Sequence, residues 1–350
     1  MKPSYFYFDD KILEKEQVLF DQCKYLGHEL LLNSNNNYFC LPQEDDARML
    51  IKQNGQIQLV SNVCRHRQSI MLKGSGHVDR ISCPLHGWTY DLRGRLFAAP
   101  KFDSCPSRHL HTYDFQRWNG LLFESKNTEV IQSLEQMELK DYFNFQGFAF
   151  HSRQEMICNY NWKTFIEVQM DNYHISNVHP GLSKFVDCDQ MRWQQGERFN
   201  VQSVGILNKL QSPGSEVYAR WHRELLKYHK GQLPPYGGIW LTIYPNIMIE
   251  WYPEVLVIMT IWPKEPQRTF LILEYYYPED ICYFENDLVQ AHLAADMETT
   301  LEDDQLGERI DRGRYHLMRS GKNDYGPVHD PLENGLHYFY DYYDRWIKPN

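Results

Sequence analysis

Two short segments, Cys64-Arg65-His66 and Cys83-Pro84-Leu85-His86, constrain this chain more than any other feature. Sixteen residues separate His66 from Cys83, and each segment offers one thiolate and one imidazole. A [2Fe–2S] cluster in which one iron takes two Cys and the other takes two His requires that donor set. Neutral imidazoles in place of two thiolates leave the cluster less negative, and so easier to reduce, than an all-Cys cluster. Structural zinc is the competing reading. Cys2His2 zinc sites, however, usually pair Cys with Cys and His with His at short spacings, and both segments here mix the two.

The residues around these segments predict a small antiparallel β unit with both donor loops at its turns. Short β runs appear at Tyr38–Leu41, Met49–Lys52, Ile57–Asn62, Trp88–Asp91 and Gly120–Phe123. Turn signals at Asn54-Gly55, Gly74-Ser75-Gly76 and Arg93-Gly94 punctuate them. Leu13 to Leu32 reads as a short helix running into a strand, and Ser125 to about Leu139 as a helical link. A second region follows, with a helix over Trp162–His174, strands near Trp240–Tyr252, Val255–Pro263 and Thr269–Pro278, and a long helix over Asp287–Tyr315. With 350 residues, 42% of them hydrophobic, the chain is long enough for two cores. Domains at 1–140 and 141–350 are expected, in an α+β fold.

Charge and cysteine usage narrow the function classes. A formal charge of −10 argues against a nucleic-acid footprint or a polybasic membrane surface. No run approaches the length of a membrane span, and the first residues, Met1 to Asp9, lack the apolar stretch of a signal peptide. Cys23, Cys40, Cys105, Cys158, Cys188 and Cys282 are scattered without a disulfide-framework spacing, as expected of thiols in a reducing cytoplasm.

A second set of donors lies in Trp162-Lys163-Thr164-Phe165-Ile166-Glu167-Val168-Gln169-Met170-Asp171-Asn172-Tyr173-His174 and the His179-Pro180 that follows. On a continuous helix Glu167, Asp171 and His174 share a face away from the apolar positions. Pro180 ends the element, so His179 can swing back beside His174. Two imidazoles and one carboxylate make the facial triad of non-haem Fe(II) oxygenases, which leaves coordination positions open. The competing reading is a solvated helix face.

Both strings together resemble the Rieske non-haem iron oxygenases, the aromatic-ring-hydroxylating family, over nearly the whole chain. The resemblance implies a Rieske domain followed by a catalytic domain with helices over a curved antiparallel sheet. It implies that Cys64, His66, Cys83 and His86 hold the cluster, and that His174 and His179 bind a mononuclear Fe(II). The run Glu302-Asp303-Asp304 resembles the family's later acidic stretch, which points to Asp303 as third ligand with Asp304 as rival. Asp171 is implied to bind no metal and to link His86 of one subunit to the iron-bound His174 of the next. The family usually closes into a homotrimer, with or without a small β subunit, and takes electrons from NAD(P)H through a reductase or ferredoxin.

Departures from the family's quinol-oxidising relatives also bear on the cluster. Ser69 and Leu85 stand where those proteins carry two further Cys, and Trp88 stands where they carry a Ser that hydrogen-bonds to a cluster sulfide. Losing a hydrogen bond to sulfur lowers the potential, so a low-potential cluster is expected. The expected activity is O2-dependent hydroxylation or oxidative demethylation of a small organic substrate, an aromatic compound or a quaternary amine of the choline, carnitine or betaine type, the alternative being a Rieske electron-transfer protein without oxygenase activity. The Trp240–Tyr252 segment resembles the branch acting on choline, carnitine and betaine. Trp251, Tyr252 and Tyr244 there read either as a cation–π cage or as core packing.

Overall fold

The computed structural model describes residues 2–124, 129–207, 210–322 and 326–347. They form two compact units, one running from Lys24 to Glu124 and one made of residues 2–23 with residues 129–347.

In the smaller unit every strand pairing is antiparallel. Ser75–His77, Asn37–Cys40, Arg48–Gln53, Gln56–Ser61 and Thr112–Tyr113 lie in that order in one sheet. Lys24–His28, Leu121–Glu124 and Gln116–Trp118 form a second. Ile81–Ser82, Thr89–Tyr90 and Leu96–Ala98 form a third, whose first hairpin carries the Cys83–Trp88 loop. The predicted β runs are thus present, each within a residue or two. The predicted link begins at residues 125–128, outside the described residues; beyond them a short helix spans Glu129–Leu134.

The larger unit is built on one seven-stranded antiparallel sheet. Its order is Phe148–Cys158, Arg268–Pro278, Val255–Glu265, Ile247–Tyr252, Gly238–Ile243, Phe199–Ile206 and Val186–Gln195. The last six are a meander in reverse chain order. The middle strands are buried on both faces, which is why their sequences read as nearly continuous apolar runs without alternation. The single predicted run Trp240–Tyr252 is a hairpin whose strands part at Tyr244-Pro245-Asn246. The long helix spans Asn286–Arg319 and packs on the helices Glu216–Tyr228 and Trp162–Gln169.

Two expectations are corrected. The helix that starts at Trp162 ends at Gln169 and does not reach His174. Asp171 turns its side chain back on the backbone, accepting from Tyr173 N at 2.7 Å and His174 N at 3.1 Å, and this local bonding competes with the helical pattern. A separate short helix follows at Ile175–Val178. Glu167 therefore does not share a face with His174; it is buried against Tyr7, Tyr340 and Arg314. The N-terminal lead-in, with the helix Asp10–Phe20, packs in the larger unit, as do residues 129–140, whereas the boundary was expected at residue 140. One ion pair out of contact with water ties the helix Asp10–Phe20 to the larger unit. Lys163 Nζ lies 2.7 Å from Glu16 Oε1, both side chains fully buried, and Trp162 Nε1 and Tyr343 OH also donate to Glu16.

Candidate metal centres and substrate cavity

The Cys64 and Cys83 loops have the same backbone hydrogen bonds. Cys64 N donates to Ser69 O at 2.9 Å and Gln68 N to Cys64 O at 3.0 Å; Cys83 N donates to Trp88 O at 2.8 Å and Gly87 N to Cys83 O at 3.0 Å. Each loop closes through a residue with positive φ, Gln68 at 60° and Gly87 at 71°. Glycine adopts that region freely, whereas Gln68 is held there against a steric cost. Both thiols are buried, and the His66 and His86 rings stand edge to face with centroids 4.7 Å apart. His66 stacks on Trp88 at 4.8 Å, and its Nδ1 is buried without a partner. Burial holds the Cys83 thiol up, against the Leu85 and His86 backbone N–H groups that favour its thiolate. Two buried thiols, two adjacent imidazoles and an orphaned ring nitrogen fit a Rieske cluster. Tyr90, absent from the sequence expectations, joins them. Its buried hydroxyl accepts from Arg65 N at 3.0 Å and lies 3.5 Å from Cys64 Sγ.

His174, His179 and Asp303 converge in the larger unit. Among the described residues they are the group of metal-ligating side chains whose donor atoms all lie within 4.8 Å of one another. His174 Nε2 and His179 Nε2 are 3.0 Å apart, and Asp303 Oδ1 lies 3.3 Å from the first and 3.0 Å from the second. His179 Nδ1 faces Glu302 Oε2 at 2.8 Å, which puts the proton on Nδ1 and turns the Nε2 lone pair to the centre. Asp171 Oδ2 stands 3.5 Å from His174 Nδ1, a longer contact. Burial alone would lower the His174 imidazolium, but Asp171 and Asp303 outweigh it and raise it to about 9. Burial would likewise raise Asp303, and the two imidazoles reverse the sign and hold its carboxyl below the usual range. Two lone pairs and a carboxylate crowded together, with Asp303 Oδ1 buried and unsatisfied, fit a divalent cation.

Asp303 reaches this point because the long helix comes close to the strand end below it. A Cβ on Gly307, one turn beyond, would stand 2.6 Å from the Tyr160 ring. The neighbouring acid Asp304 turns toward Cys158 and Tyr160 instead. Asp311, further along the same helix, accepts from Asn161 N at 2.8 Å and Thr164 Oγ1 at 2.6 Å, and so anchors the start of the helix Trp162–Gln169.

A cavity opens beside the group, and Trp240, Tyr252, Met259, Glu250, Asp296 and Thr300 form much of its wall. Of the two readings of Trp251, Tyr252 and Tyr244, the cage does not assemble. Tyr252 faces the cavity, but Trp251 packs edge-on against Tyr142, and Tyr244 stacks on Tyr342 at 4.8 Å and bonds to Asn200. Alternation along the strand sends Tyr252 and Trp251 to opposite faces. Glu302, Glu250 and Asp296 were missed by sequence reasoning. Two signals were available: a lone acid inside Ile247-Met248-Ile249-Glu250-Trp251-Tyr252, and an acid two helical turns before Asp303.

Residues 143–349 match the family model "Ring hydroxylating alpha subunit (catalytic domain)", and residues 14–114 match "Rieske [2Fe-2S] domain". The chain belongs to the Rieske non-haem iron oxygenases, as a ring-hydroxylating-type α subunit. It is an oxygenase of small substrates, with a Rieske [2Fe–2S] cluster and a mononuclear iron as cofactors and O2 as co-substrate. It is 44% identical to a putrescine 2-hydroxylase of Ralstonia nicotianae, over 97% of this chain and 93% of that protein. A putrescine 2-hydroxylase of Bordetella bronchiseptica is 41% identical over 97% and 83%. The fold is similar to that of the quaternary ammonium Rieske monooxygenase CntA, with a TM-score of 0.79 and 18% identity over 99% of this chain and 95% of that one.

Proposed function

We propose that this α subunit hydroxylates a short aliphatic amine, with a primary diamine such as putrescine as the preferred substrate. The observation that carries the reading is the 44% identity to a putrescine 2-hydroxylase along almost the full length of both chains. An acid-bearing cavity supports it, because an aromatic hydrocarbon would leave buried carboxyl groups without a partner. In this proposal Cys64, His66, Cys83 and His86 hold the cluster in the smaller unit, and His174, His179 and Asp303 hold the iron in the larger one.

The bound iron supplies O2 activation, using electrons that originate in NAD(P)H and arrive through a reductase or ferredoxin and the cluster. Glu302 fixes the tautomer of His179. Asp171 bridges His86 of one subunit and His174 of the next within a cytoplasmic homotrimer. Among the described residues no helix is long and apolar enough to cross a membrane. The test is O2 uptake by holoprotein with an electron donor, screened over amines, quaternary ammonium compounds and arenes. Stimulation by diamines with a mass gain of one oxygen in the product is expected. Stimulation by arenes or choline alone contradicts the reading.

A further inference from the structure

We propose that Glu250 and Asp296, walled by Trp240 and Tyr252, form a subsite that anchors a primary ammonium group and so decides which carbon is presented to His174, His179 and Asp303. The inference rests on the amine reading above and deepens it.

Strand register brings the wall together. Glu250 stands directly opposite Trp240 on one neighbouring strand and Val257 on the other, and Tyr252 is two residues along on the same face. Asp296 comes from the long helix above that face, and its Oδ2 accepts from Tyr275 OH at 2.7 Å. Glu250 is only 8% exposed, and no Lys, Arg or His pairs with either acid among the described residues. Burial pushes the Glu250 carboxyl well above its usual range, and Asp296 adds to the rise, so the two lie within reach of each other's charge.

Two carboxyl groups withdrawn from water without a cation are costly unless something supplies one. A second observation marks the wall as incomplete. Trp240, also 8% exposed, lines the cavity, and its buried Nε1 lies beside the Tyr252 hydroxyl without a well-formed hydrogen bond. A ligand seated here satisfies the acids by its charge and lies against the indole.

The chemistry selects the ligand class. A primary ammonium offers three N–H donors, which two carboxyl groups can share, and its charge is favoured by the Trp240 and Tyr252 rings. A quaternary ammonium keeps the charge attraction and the ring contribution but has no N–H to share between the carboxyl groups. Asp296 and Asp303 are two turns apart on one helix, about 10 Å along its axis. That leaves space for a short alkyl chain to run from the anchored nitrogen toward the metal group.

The test is isothermal titration of 1,4-diaminobutane into anaerobic holoprotein, comparing wild type with Glu250→Gln, Asp296→Asn and the double variant. Each single variant is expected to weaken binding at least tenfold, and the double variant to abolish it, with the Rieske absorption and iron content retained. Choline binding should weaken clearly less than diamine binding in Glu250→Gln, a selectivity that general unfolding would not produce. Wild-type binding that persists unchanged in both single variants overturns the subsite while leaving the amine reading in place. Absence of binding by wild type overturns the amine reading itself. Should Asp296→Asn fail to fold, Glu250→Gln alone decides, because its buried neutral isostere leaves no unpaired charge.

Discussion

Tyr90 places its hydroxyl against the first cluster loop. Its hydroxyl lies 3.5 Å from Cys64 Sγ and accepts from Arg65 N, so it can donate to the sulfur while ordering the loop. Tyr90→Phe should leave the cluster assembled and lower its reduction potential, because a hydrogen bond to a ligand sulfur is lost; a redox titration followed by circular dichroism reads the shift. Asp303 and Asp304 differ at the same scale. Asp303→Ala should lose the mononuclear iron and keep the Rieske spectrum, whereas Asp304→Ala should keep both, as metal analysis will show. Asp296 has a signature in pH. Burial outweighs the Tyr275 hydroxyl and lifts its carboxyl to about 6, with Glu250, Tyr252, Tyr218 and Tyr277 also facing it. A raised folded-state value means a contribution to stability present below the unfolded value near ~3.9 and lost as pH rises through about 6. An ammonium beside the ionised group offsets that loss. Diamine should therefore raise Tm more at about pH 7.5 than at about pH 5 in a thermal-shift assay.

Elements were legible where local chemistry agreed with the tertiary fold. The short strands of the smaller unit are bounded by strong turn signals, and the donor loops sit on them as their spacing implied. The metal helix was over-extended because its apolar spacing continues past Gln169, while the Asp171 turn that ends it depends on a side-chain bond no periodicity reveals. The strands Phe148–Cys158 and Val186–Gln195 are sheet edges of mixed polarity. Their place is set by pairing with strands far away in sequence, so they left no clear pattern. The acid pair was hidden for a related reason: which face Glu250 takes depends on register, and both faces of that strand are buried. The Glu16–Lys163 pair ties the first helix to the metal helix, and it too joins residues far apart. Lys163→Met should destabilise the larger unit by about 3–5 kcal/mol, the cost of leaving a buried charge alone. Chemical denaturation followed by tryptophan fluorescence measures this, with the Rieske absorption as a separate probe of the smaller unit.

The whole molecule carries a two-thiol, two-imidazole loop pair and a two-imidazole, one-carboxylate group in one chain of the Rieske oxygenase family. In the proposed homotrimer Asp171 carries the connection between subunits. Asp171→Asn should keep both metal centres and the assembly while slowing cluster oxidation after rapid mixing with O2 and substrate; an unchanged rate removes Asp171 from the path. The central claim is that electrons stored on the cluster are spent on oxygenating an amine. A single-turnover reaction tests it most directly: holoprotein reduced without excess donor, mixed with 1,4-diaminobutane and 18O2, then quenched for mass spectrometry. Hydroxylated diamine carrying one 18O atom is expected, in an amount close to the active iron, with cluster oxidation that requires the amine. Cluster oxidation at the same rate without amine, and no labelled product, would contradict it.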